Sequence, residues 1–144
     1  MLTSWATRAM ILALALVTAG FRCESATSPP APGVRFKFQV REAPGAAGQF
    51  FARTNDPDVI RVAREELELP IAERELFING PLARGDGAHN GPWSWHFVPS
   101  EWALVPRAIE LCDGTPQMVE DDLDYWVDRV GHYCPWSAYV MEER

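Results

Sequence analysis

The stretch Arg84–Val98 (RGDGAHNGPWSWHFV) carries the densest set of chemically capable side chains in the sequence. Asp86, His89 and His96 supply the oxygen and imidazole groups that bind metals or move protons in hydrolysis, and Glu110 or His132 could complete such a set. Their spacing matches no recognised metal pattern: the chain has no His-x-His, no His-Glu-x-x-His and no paired Cys-x-x-Cys. Ser94 and His96 stand two apart and share a strand face, but neither a third triad member nor a Gly-x-Ser-x-Gly elbow accompanies them. Arg84-Gly85-Asp86 spells the tripeptide read by integrins, yet a glycine-rich turn is where these residue types belong in any case. The segment therefore supports two functional readings. In one it is the contact loop of a binding domain; in the other, His89, His96 and nearby carboxylates serve a small metal-dependent or hydrolytic enzyme.

Two further groups bear on function. No cofactor is expected, although Asp113, Glu120, Asp121, Asp122 and Asp124 form an acidic run whose oxygens would suit calcium. The alternating ladder of an EF-hand is missing, and acids in the first turns of a helix are already favoured by its dipole. Trp93, Trp95, Trp102, Trp126 and Trp136 form an unusual aromatic supply. Trp126 falls on an inward helical stripe and Trp93/Trp95 on an apolar strand, whereas Trp102 and Trp136 lie beside prolines and are expected to be exposed. The binding reading accordingly centres on Asp86, His89, Trp93, His96, Trp102 and Trp136, with flat indole rings as the contact area.

These residues need elements to position them. Val34–Arg41 alternates apolar and polar side chains, the signature of a half-buried strand. Asn55 or Asp56 caps a helix with Pro57 at its first position, and Val59, Ile60, Ala63 and Leu67 form its inward stripe until Pro70 ends it. Glu75–Ile78 is expected as a strand stopped by Asn79-Gly80-Pro81, followed by a glycine-rich loop over Leu82–Pro92. Further strands are expected at Trp93–Val98, Arg107–Cys112 and Cys134–Met141. Between the last two, Thr115 and Pro116 start a second helix with the stripe Val119, Leu123, Trp126, Val127 and Val130, ended by Gly131. This order predicts a single α+β domain. Four or five mainly antiparallel strands would carry two helices on one face, and a ferredoxin-like arrangement is one option.

The ends and the overall charge set the compartment and exclude some partners. Arg8 followed by the apolar run Ala9–Ala19 resembles a secretory leader, too short for a permanent membrane span, which needs about 20 apolar residues. Residues 1–23 are read as signal peptide, 24–33 as a Pro/Ser-rich tether and 34–144 as the globular domain. The expected location is secreted or periplasmic, with a lipid anchor at Cys23 as the alternative. Of the chain's 144 residues 47% are hydrophobic and the net charge is −7; Lys37 is the single lysine. With no clustered cations, nucleic-acid phosphates are not an expected partner, and membrane contact is expected only through that anchor. The expected partner is an extracellular ligand or protein. In an oxidising compartment Cys112 and Cys134 are expected to form a disulfide, although reduced cysteines also pack as small hydrophobes. If the second helix were a simple crossover, it would carry the chain about 20 Å along the sheet. A disulfide needs Cα atoms within about 7 Å, so either the return loop doubles back or the topology is not ferredoxin-like.

Several phrases together, TNDPDVIRVAREEL, FINGPLARGDGAHN, PWSWHFVP, AIELCDGTPQMVEDDLDYWV and CPWSAYV, resemble a family of exported domains. It is named after the N-terminal domain of a slime-mould protein, "BP seventy-four", described as calmodulin-binding. The resemblance runs from about Arg35 to Val140 and implies a compact exported α+β domain, with no reaction, ligand or catalytic residue to carry over. Calmodulin binding is not expected here, because the chain lacks the basic amphipathic helix such targets use.

Overall fold

A computed structural model describes residues 33–144. The expected leader, nearly all of the tether and Cys23 lie outside the described residues. The α+β class and the antiparallel pairing both hold. The strands are divided between two sheets, in place of the one sheet on which a ferredoxin-like arrangement would rest.

The first sheet has the order β2-β1-β7, from β1 (Val34–Val40), β2 (Gln49–Thr54) and β7 (Ala138–Glu143). Phe36, Phe38 and Val40 turn inward with Phe50 and Ala52, as the period of two requires. The expectation missed β2, whose apolar residues do not alternate in sequence: Phe51 faces outward, where the Arg35 guanidinium covers its ring at 4.5 Å. Helix α1 (Pro57–Glu68) packs against β7, with Ala63 fully buried and the Asp56 carboxylate accepting from the Asp58 and Val59 amides.

The second sheet is built on β3 (Phe77–Arg84), which pairs with β4 (Trp95–Phe97), β5 (Ala103–Val105) and β6 (His132–Tyr133). β3 therefore runs through Asn79-Gly80-Pro81, where a stop was expected. A β-carbon on Gly80 would lie 2.5 Å from that of Trp102, so glycine is what lets the indole sit against this strand. Pro81 keeps its useful half, since its carbonyl accepts from Val98 N at 3.0 Å. The expected strand over Arg107–Cys112 is instead an extended stretch closed by a single tight turn, Glu110–Cys112, with Ile109 and Leu111 facing solvent.

Helix α2 (Pro116–Asp121) is capped by the Thr115 hydroxyl, breaks at Asp122, and continues as a wider helical stretch, Asp124–Val130, that ends on left-handed Gly131. Val119 and Trp126 of the expected stripe are buried, and Leu123, Val127 and Val130 are half-buried. Aromatic rings join the two sheets: Phe50 meets Trp95, Phe97 and Tyr133 at centroid distances of 5.7, 5.7 and 6.0 Å. Cys112 and Cys134 are bridged with Cα atoms 5.1 Å apart, and Cys134 N donates to Cys112 O at 2.7 Å. With Cys112 on a turn rather than a sheet strand, no crossover separates the two cysteines. No described helix is long and apolar enough to cross a membrane.

Candidate functional site

The candidates of the segment around the glycine-rich loop lie close together at different depths: His89 and Trp93 are buried, His96 is half-buried and Asp86 is exposed. The loop joins β3 to β4 and is closed at its base by Gly85 N donating to Ser94 O at 2.7 Å. His89 is only 3% exposed, and its Nδ1 bonds Gly87 O at 2.8 Å; His96 bonds Gly85 O through Nδ1 at 2.7 Å. Both protons are thus placed on Nδ1, because a carbonyl can only accept. The two rings stand edge to face with centroids 5.3 Å apart. Burial holds the His89 imidazole below its usual pKa; the hydrogen bond to Gly87 O opposes this, while His96, Arg53 and Arg35 add to it. Asp86 closes the turn, its carboxylate accepting from Ala88 N at 2.9 Å.

Among the described residues, no three His, Cys, Asp or Glu side chains gather as metal ligands. The acidic run is dispersed among separate partners. Glu120 accepts from Ser94 N, Asp113 from Gly114 N and Trp136 N, Asp122 from Tyr125 N, and Asp124 from Arg84. Ser94 and His96 form no hydrogen bond with each other among the described residues. Arg84 of the Arg-Gly-Asp triplet is held by Asp124 and Asp128.

Among the five tryptophans Trp102 departs from expectation; Trp93, Trp95 and Trp126 are buried and Trp136 is exposed, as their settings suggested. Trp93 (9% exposed) and Trp102 (2%) are core residues whose indole N–H groups donate to Gln49 O at 2.7 Å and Arg53 O at 2.8 Å. Trp102 is therefore not the surface residue its neighbouring proline suggested; an apolar ring beside a β-strand gains more from burial against Phe36 and Phe38 than from water. Of the proposed contact residues, Trp136 keeps a large exposed face, at 44%. It borders a cleft of about 280 Å³ with Phe77, Pro106, Arg107 and Ala108. Across Ala108 lies a second cleft of about 300 Å³, lined by Asn79, Ala108, Ile109, Cys112, Val130 and His132.

Covalent and polar ties hold this face. The disulfide brings the Cys112 and Cys134 segments together, and Asp113 Oδ1 accepts from Trp136 N at 2.8 Å. Arg107 is exposed and pairs with no acid among the described residues. Asn79 Oδ1 is buried there without a hydrogen-bond partner. Sequence reasoning missed Arg107 and Asn79. Both sat inside segments read as strand or turn, and nothing in their neighbours sets them apart.

The sequence pattern of the "BP seventy-four" N-terminal domain matches residues 34–144. The chain belongs to that family. No curated protein and no solved structure matches it. The family match takes in both sheets, the disulfide and all residues of the two clefts.

Proposed function

We propose that this chain is an exported binding domain that acts without catalysis, and that its contact face is the pair of clefts around Ala108. The observation that carries the reading is the exposed Trp136 ring beside the exposed Arg107 guanidinium. Aromatic and arginine side chains next to a concave apolar surface are the residues that dominate binding energies when truncated. The chemistry recognised there is a short extended peptide with an apolar side chain for the Trp136–Phe77 cleft and a carboxylate for Arg107. The enzymatic reading finds less support: His89 is buried, and neither imidazole is hydrogen-bonded to a carboxylate among the described residues.

The test is selection of random displayed peptides against the purified domain. Selected sequences should pair Asp, Glu or a free C-terminus with an aromatic or large aliphatic residue. Trp136→Ala and Arg107→Glu, both surface changes, should each weaken binding roughly thirtyfold, the effect of losing about 2 kcal/mol at a binding hot spot. Peptides that bind both variants as well as the parent would place the contact surface elsewhere.

A further inference from the structure

We propose that the loop joining β3 to β4 is an acid-sensitive latch over the outer edge of β2, with protonation of His89 as its release. β2 pairs with β1 on one side only, so its other edge carries backbone groups that need partners. The loop supplies two of them: the Asn90 side chain accepts from Phe51 N at 2.7 Å, and the Trp93 indole donates to Gln49 O at 2.7 Å. Asn90 is fully buried and ties the same loop to β4 by donating to Trp95 O at 2.8 Å. His89 is its immediate neighbour, and the backbone amides of both residues donate to Asp86 O.

The trigger follows from the tautomer. With its proton on Nδ1, His89 leaves Nε2 as a bare lone pair, buried and without a partner. A second proton there would create a buried N–H with no acceptor and a buried charge. His96 of β4 stands edge to face with this ring, and Arg53 of β2 and Arg35 of β1 add positive charge that disfavours a second proton there. Asp86, the acid on the loop itself, accepts from Ala88 N and makes no hydrogen bond to the His89 ring among the described residues.

The His89 ring is buried against the loop backbone: it is only 3% exposed, and a β-carbon at Gly87 would lie 2.7 Å from His96 and 2.8 Å from His89, so this backbone passes close to both imidazoles. The loop is also held in left-handed conformations at Gly85, Gly87 and Ala88, the last unfavourable for a side-chain-bearing residue. The protonated ring reaches water only if the loop lifts, and lifting frees Phe51 N and Gln49 O.

The direction with pH is fixed by linkage. The closed loop holds the His89 pKa below its ordinary value, so the closed state binds fewer protons than the open one. Closure is therefore favoured above the ordinary histidine value of about 6.5 and weakens as pH falls below it, by up to tenfold per unit.

Hydrogen exchange of the full chain, followed by NMR between about pH 7.5 and about pH 5 and corrected for intrinsic rates, tests the latch. Protection of Phe51 N–H and of the Trp93 indole should fall roughly tenfold or more with acid. The Trp102 indole, bonded to Arg53 O from outside the loop, and the β1 amides should keep theirs. His89→Gln, which cannot titrate, should abolish the pH response. Should that variant not fold, the imidazole titration of His89 in the parent chain decides. A value at or above the ordinary one overturns the proposal, as does unchanged Phe51 and Trp93 protection, or loss of all these protons together.

Discussion

At the scale of single residues, burial separates side chains that the sequence treats alike. Trp102 and Trp136 both stand near prolines, yet one is 2% and the other 44% exposed. Trp102→Ala should cost about 3–5 kcal/mol, the range for truncating a buried large aromatic, whereas Trp136→Ala should change stability by less than about 1 kcal/mol. Urea unfolding of the two variants checks this, and similar losses for both would contradict the assignment of Trp136 to a contact face. Asn90 is a joint of the same kind. Replacing it with alanine strands Phe51 N and Trp95 O, for an expected loss of about 2–4 kcal/mol, read as a lower urea midpoint at unchanged slope.

At the scale of elements, both free edges of the three-stranded sheet are met by side chains rather than by further strands. Trp93, Asn90 and Trp102 cover β2. On β7, Arg74 donates to Val140 O at 2.9 Å while also donating to Leu67 O and Leu69 O at the end of α1. One guanidinium thus joins helix terminus to sheet edge, satisfying helix carbonyls that have no intrahelical donor. Arg74→Ala should lose about 2 kcal/mol, and Arg74→Lys should recover little of it, because an ammonium cannot fork across two elements. Full rescue by lysine, measured as the thermal midpoint, would show that charge alone matters. Such covering is what keeps exposed strand edges from pairing with other chains.

At the scale of the molecule, the aromatic centre joins the two sheets, and the disulfide fastens the Cys112 turn to the segment between β6 and β7. The bridge spans a sequence separation of 22, and its loss should remove about 3 kcal/mol by the loop-entropy argument. Mild reduction followed by urea unfolding measures it; an unchanged midpoint would mean packing alone holds the Cys112 turn. Tyr133 lies at the centre of this core, donating its hydroxyl to Gly114 O at 3.0 Å. Burial first, then Asp113 and Glu42, push its pKa well above the ordinary value. A phenol whose folded-state pKa is raised stabilises the fold fully below the unfolded value of about 10, and that contribution is lost as pH rises beyond it. Alkaline unfolding should therefore coincide with ionisation of this tyrosine, read by its phenolate absorbance, whereas Tyr133→Phe should unfold at higher pH. Ionisation of Tyr133 in a chain that is still folded would contradict its place in the core.

The sequence by itself determined what local rules can encode. Alternation in Val34–Val40, the Asp56-Pro57 start of α1 and the Val119–Trp126 stripe are legible because each depends on neighbours within a few positions. The α+β class and the cysteine pairing followed from the same reading. Tertiary structure alone decided that β2 is a strand despite an outward Phe51, and that β3 continues through Gly80 because Trp102 needs the space. It also turned Ile109 and Leu111 outward, buried His89 and Trp102, and brought Arg107 beside Trp136. Those outcomes turn on which distant surface covers a residue, and apolar periodicity records that a side chain can be covered without recording by what.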